Sequence, residues 1–151
     1  MKGRLVIRIV LFAIVAAGIG RWAWEEFGRD EPAVVGTSRP DGLTVLALHG
    51  DKRCRTCIRI SDLAREEIGN RFAAELADGR LHWENVNYEQ PEHRELAERY
   101  GLVSSTIVLS RWKDGAETDW KKLDEVWDLI GDEPEYREFI ATRVAAMLET
   151  P

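Results

Sequence analysis

The only two cysteines of the chain stand three residues apart, in Cys54-Arg55-Thr56-Cys57. Two thiols this close in sequence cannot form a disulfide framework that staples a fold together. Closing a loop of a few residues also restrains an unfolded chain little, so a purely structural bridge would contribute little. The pair is therefore a local chemical site. Two chemistries are open to it, thiol–disulfide exchange and capture of a soft metal or metalloid.

The residues around the pair favour exchange. Leu43 to His49 is a short apolar run, rich in strand formers and bounded by Gly42 and Gly50, and it reads as a buried strand. A helical pattern follows Cys54. Cys57, Ala64, Ile68, Phe72 and Leu76, with Leu63 beside them, share one face, and Asp78-Gly79 ends the helix. Cys54 thus stands at a helix N-terminus, where unpaired N–H groups and the positive end of the dipole favour a thiolate. Lys52, Arg53 and Arg55 add positive charge. We expect Cys54 to be the exposed nucleophile that forms the mixed disulfide. Cys57, one turn in, is expected to be buried and to resolve it.

The rest of the domain alternates in the same way. Leu81 to Tyr88 reads as a second strand, with one irregularity between its Leu81–Trp83 and Val86 sides. A helix begins at Pro91 and Glu92, with Leu96, Ala97 and Tyr100 on its apolar face and Gly101 as its cap. Thr106 to Trp112 and Glu117 to Lys121 read as strands joined by the turn Lys113-Asp114-Gly115. Val126, Trp127 and Ile130 begin a last helical part. Gly131 and Pro134 interrupt it before the stripe Tyr136, Phe139, Ile140, Val144, Met147 and Leu148. A βαβ unit followed by an antiparallel hairpin predicts an α/β, thioredoxin-like fold over residues 43–150, with a mixed four-stranded sheet flanked by helices. Trp83, Trp112, Trp120 and Trp127 are read as core or half-buried packing. Glu92, Glu95 and Glu98 are read as a solvated helix face.

A different element precedes this domain. Ile9 to Gly20 is uninterrupted apolar sequence, and the span Leu5 to Trp24 is broken only by Arg8 and Arg21. As a helix it would rise roughly 30 Å, one bilayer core. Lys2, Arg4 and Arg8 before it place the N-terminus in the cytoplasm, and Trp22 and Trp24 suit the far headgroup layer. The candidate cleavage sites, Ala16-Ala17-Gly18 and Ala17-Gly18-Ile19, are followed by bulky residues, so an uncleaved anchor over residues 1–24 is preferred to a signal peptide. Residues 25–42, with Gly28, Pro32, Gly36, Pro40 and Gly42, read as a linker. The expectation is one N-terminal membrane helix in a bacterial inner membrane, with the domain in the periplasm or outside, where disulfide chemistry belongs.

Formal net charge is −6, and Lys and Arg are interspersed with acids, which excludes a nucleic-acid scaffold. No Ser-His-Asp set, glycine-rich phosphate loop or nucleotide fingerprint occurs, and no cofactor is expected. The metal alternative would use Cys54, Cys57 and His49, although a structural zinc needs a fourth ligand and none is evident. His82 and His93 have no ligand spacing. The partner expected is a protein thiol or disulfide. A third alternative is a non-catalytic subunit whose cysteines sense redox state.

His49-Gly50, Arg53-Cys54-Arg55-Thr56-Cys57, Asn85-Val86-Asn87, Tyr100, Ser105-Thr106-Ile107-Val108-Leu109, Lys113-Asp114-Gly115 and the run Trp120 to Trp127 carry a resemblance. Over about Leu43 to Leu148 the chain resembles the thioredoxin-like family known as nitrophenyl compound nitroreductase subunit ArsF. The resemblance implies a small, often exported or lipid-anchored redox protein. No flavin site is visible, so nitro-group reduction is not inferred. Two departures from thioredoxin proper stand out. Ser105, before Thr106, takes the place of the proline that faces the cysteines there, so this substrate-facing loop differs and metal is less firmly kept away. Leu48 stands where thioredoxins carry a buried acid that assists the resolving cysteine.

Overall fold

A computed structural model describes residues 39–149. The expected membrane segment and residues 25–38 of the expected linker lie outside the described residues. Among the described residues no helix is long and apolar enough to cross a membrane.

The elements follow in the order β1 (Gly42–His49), α1 (Arg55–Arg71), α2 (Ala73–Ala77), β2 (Leu81–Asn87), a 3-10 turn (Pro91–His93) leading into α3 (Arg94–Arg99), β3 (Thr106–Lys113), β4 (Ala116–Leu123), α4 (Val126–Leu129) and α5 (Glu133–Glu149). The sheet order is β2-β1-β3-β4. β1 runs parallel to β2 and antiparallel to β3, and β3 runs antiparallel to β4. This is the mixed four-stranded sheet that the element order predicts.

Apart from Thr44 and the terminal His49, β1 is apolar because both of its faces are covered. Leu43, Val45 and Ala47 meet Ile60, Ala64 and Ile68 of α1 and Tyr136, Ile140 and Val144 of α5. Leu46 and Leu48 face the other way, toward Val86, Val108, and Leu96 and Tyr100 around α3. Tyr136 ties α5 to α1 by donating its hydroxyl to the Ile60 carbonyl at 2.6 Å. Its burial pushes the phenol pKa well above the usual range.

The hairpin turn is built as its sequence requires. Asp114 and Gly115 both take positive φ, 54° and 78°, the combination that matches the twist of the flanking strands. Gly42 is needed for a different reason. Its φ is +123°, and a Cβ there would stand 2.7 Å from the Arg80 carbonyl oxygen, which already accepts the Leu43 N–H.

Several expectations change. The helix after Cys54 is two helices, because Phe72 breaks regularity at φ −119°, ψ 30° and buries its ring in the first core. The irregularity in β2 is a change of face and not a bulge: Leu81 and Trp83 pack with the first core, Val86 with the second. Pro134 does not interrupt a helix but sits in the first turn of α5, where its missing N–H costs nothing. Trp120 is exposed, at 41%. It lies on edge strand β4 with its ring edge-on to Tyr100, centroids 5.1 Å apart. The linker ends earlier than residue 42. Arg39 is 6% exposed, its Nε donates to both Glu84 carboxylate oxygens at 3.0 and 3.1 Å, and its guanidinium lies over the Trp112 ring.

A buried polar network lies on the α3 side of the sheet. The Glu117 side chain is 1% exposed. Its carboxylate accepts from the Tyr100 hydroxyl at 2.6 Å, from the Ser110 hydroxyl and from the Arg99 guanidinium. Trp112 Nε1 donates to Ser110 Oγ at 2.7 Å. Burial, then the hydrogen bond to Glu117, raises the Tyr100 pKa well above the usual phenol range.

Candidate active site

β1 delivers the chain to the site, and the turn after it is tied to the end of β2. Asp51 Oδ1 accepts from Asn87 Nδ2 at 2.7 Å and from Gln90 Nε2 at 3.1 Å, and the Asp51 N–H donates to Glu89 at 2.9 Å. These side chains were not singled out from sequence. Only their polar character was visible there, not their convergence.

The two cysteines are joined as a disulfide with Cα atoms 5.1 Å apart. Cys54 is the N-cap of α1, in extended backbone at φ −77°, ψ 164°. The Cys57 N–H donates to Cys54 Sγ at 3.1 Å. Cys54 is exposed and Cys57 is buried. One sulfur therefore faces solvent at a helix N-terminus, and the other is covered one turn in.

The neighbouring charges divide. Lys52 and Arg55 are exposed. Arg53 is exposed as a residue, but its guanidinium donates to the buried Ser61 Oγ at 2.8 Å, and that hydroxyl donates to the Ile58 carbonyl at 2.8 Å. Arg53 thus braces the second turn of α1. His49 is half-buried, with Nδ1 2.9 Å from the Gly50 carbonyl oxygen. A carbonyl only accepts, so Nδ1 carries the proton. Among the described residues no three His, Cys, Asp or Glu side chains gather as a metal-holding group. The expected alternative set of Cys54, Cys57 and His49 is therefore not assembled in this disulfide form.

Ser105 and Thr106 are buried where β3 begins. Thr106 pairs with Leu48, so this end of β3 lies beside the end of β1 that feeds the disulfide. Leu48 is buried and apolar, as its sequence position requires. The Ser105 carbonyl accepts from Trp127 Nε1 at 2.9 Å, and the Thr106 hydroxyl donates to the Leu123 carbonyl at 3.2 Å. The sequence reads Trp127 only as packing, because its link to the start of β3 spans too much sequence for a local pattern to show it.

A disulfide at the head of the first helix, reached from an interior strand of a sheet ordered β2-β1-β3-β4, decides the architecture. The fold is thioredoxin-like. No family model and no curated protein matches the chain. Among solved structures, the chain is similar to Chlamydomonas reinhardtii thioredoxin f2 at 20% identity, covering 64% of this chain and 83% of that one, with a TM-score of 0.38. It is similar to Fasciola hepatica thioredoxin at 20% identity, covering 85% and 93%, with a TM-score of 0.34. A Thermus thermophilus thioredoxin shares 22% identity over 54% of this chain and 58% of its own, with a TM-score of 0.35.

Proposed function

We propose that the chain is a thiol–disulfide oxidoreductase acting through Cys54 and Cys57. The observation that carries this reading is the placement of the pair: an exposed Cys54 whose sulfur receives a helix N-terminal N–H, and a buried Cys57 one turn behind it. In the reduced form, the Cys54 thiolate attacks a partner disulfide, forms the mixed disulfide and expels the partner's first thiolate. The Cys57 thiolate then attacks Cys54 Sγ and releases the partner's second thiolate, leaving the Cys54–Cys57 disulfide. Two electrons pass from the pair to the partner, and the reverse sequence oxidises a partner dithiol. The residues shared with the ArsF-type family support this redox role.

The local electrostatics set a direction. The helix N-terminus and the exposed Lys52 and Arg55 stabilise a Cys54 thiolate, and hence the reduced form, while the buried position of Leu48 supplies no acid. The pair is therefore expected to be more oxidising than thioredoxin's roughly −270 mV. Equilibration with glutathione, read by alkylation of the free thiols, measures this. A potential at or below that value overturns the direction, and failure of the pair to exchange with either dithiothreitol or a peptide disulfide overturns the function.

We further propose that residues 1–24 tether the domain outside the cytoplasm. Lys2, Arg4 and Arg8 before the apolar run, and Trp22 and Trp24 after it, support this. The full chain made in a bacterium is expected to stay with the membranes through alkaline carbonate washing and to be cut by protease added to spheroplasts. Recovery in the soluble fraction would remove the tether and leave the exchange chemistry standing.

A further inference from the structure

β4 is the last strand of the sheet on the β3 side, so its outer edge has no strand beside it among the described residues. Its ladder with β3 slips by one residue at Thr118, passing from Trp112–Glu117 to Arg111–Asp119, and then runs regularly from Asp119 to Leu123. Side chains alternate between the two faces along that stretch. Trp120 and Lys122 take the α3 face, where Trp120 meets the Tyr100 ring and Lys122 Nζ donates to the Gly101 carbonyl at 3.2 Å. Asp119 and Lys121 take the other face. Asp119, Trp120 and Lys121 are all exposed, and neither Asp119 nor Lys121 has an ion-pair partner among the described residues.

An open edge is a template for another strand. It offers its outward backbone groups on alternate residues only. A second copy of the same strand, laid antiparallel about a two-fold axis, therefore pairs even positions with even and odd with odd. The axis falls on a residue and not between two. An axis on Asp119 sets two carboxylates directly opposite each other, and an axis on Lys121 sets two ammonium groups opposite. Like charges so placed are destabilising. An axis on Trp120 sets the two indoles side by side and puts Asp119 opposite Lys121 of the second copy, once on each side of the axis.

We propose that the β4 edge is a docking surface for a second copy of this chain, joined antiparallel about a two-fold axis through Trp120. The sheet then runs on from one copy into the other, with an aromatic pair at the centre and two Asp119–Lys121 pairs flanking it. This goes beyond the oxidoreductase reading and does not depend on it. Lysine on an exposed edge ordinarily discourages pairing. In this register Lys121 meets a carboxylate, so the same side chain opposes unrelated strands and accepts a second copy. The regular stretch is short, and the dimer is accordingly weak and concentration-dependent.

Sedimentation of the full chain in mild detergent, over a range of micromolar concentrations, is expected to show a monomer–dimer equilibrium. Asp119→Lys and Lys121→Asp each set like charges opposite on both sides of the axis, and each is expected to weaken the dimer by about tenfold or more. The double variant, Asp119→Lys with Lys121→Asp, restores opposite charges and is expected to recover the wild-type affinity. Both positions are exposed, and that recovery also shows the fold intact. A second measurement locates the axis. In a chain whose two native cysteines are changed to serine, Trp120→Cys is expected to form a covalent dimer on mild oxidation. Thr118→Cys in the same background is not, because position 118 lies opposite position 122 of the second copy. A full chain that stays monomeric overturns the proposal. So does a dimer that the single swaps leave unchanged or that the double swap fails to restore. Thr118→Cys crosslinking as readily as Trp120→Cys overturns the axis on Trp120.

Discussion

Cys54→Ser is expected to reduce thiol–disulfide exchange to the uncatalysed background, and Cys57→Ser to accumulate a stable mixed disulfide through Cys54. The argument is geometric. The exposed sulfur receives the Cys57 N–H at 3.1 Å, and the covered sulfur lies one turn behind it. Attack needs a thiolate that a partner can reach, and only Cys54 meets both conditions. Resolution needs a second thiol held near the first, which the Cα separation of 5.1 Å provides. Non-reducing electrophoresis of each variant with a peptide disulfide reads the outcome directly. A lasting adduct on the variant that keeps only Cys57 reverses the roles. Equal background activity in both variants with no adduct removes exchange as the function.

The second large effect is one of stability. Glu117→Ala is expected to lower the unfolding free energy by about 1–3 kcal/mol, the scale for leaving buried donors without their acceptor. The loss exceeds that of a surface pair because the Glu117 carboxylate is buried and serves three donors at once, Arg99, Tyr100 and Ser110. Without it the hydroxyls of the buried Tyr100 and Ser110 must each find another acceptor. Glu117→Gln, which keeps an acceptor for Tyr100 or Ser110, is expected to lose less. Urea unfolding with the disulfide intact measures both. A loss below about 1 kcal/mol for the alanine variant, the range of exposed pairs, would place Glu117 in solvent.

Much of this architecture was legible in the sequence, for identifiable reasons. β1 could be read because a strand covered on both faces shows as a mostly apolar run, and Leu43 to Leu48, broken only by Thr44, is one. The cysteine pair could be placed because it follows that run directly. The Asp114-Gly115 turn carries its own backbone requirement. Other features depend on tertiary contacts that no local pattern encodes. Glu117 lies on a charged edge strand and reads as a solvated residue, yet packing by α3 and the β3 side chains encloses it. Phe72 continues a helical stripe in sequence, and the structure breaks the helix there to turn its ring into the core. Trp127 and Ser105 are far apart in the chain, as are Asp51 and Asn87, so the hydrogen bonds that shape the site become visible only when the sheet brings its strand ends together.

The Cys54 sulfur that meets a partner is also the atom that caps α1. Chemistry and helix initiation therefore share one atom, and whatever happens at that sulfur is felt by the first turn of the helix whose face covers the sheet. A partner held there would be sensed as a change in how firmly α1 begins, so the state of the bond is written into the backbone beneath it as well as into the two side chains.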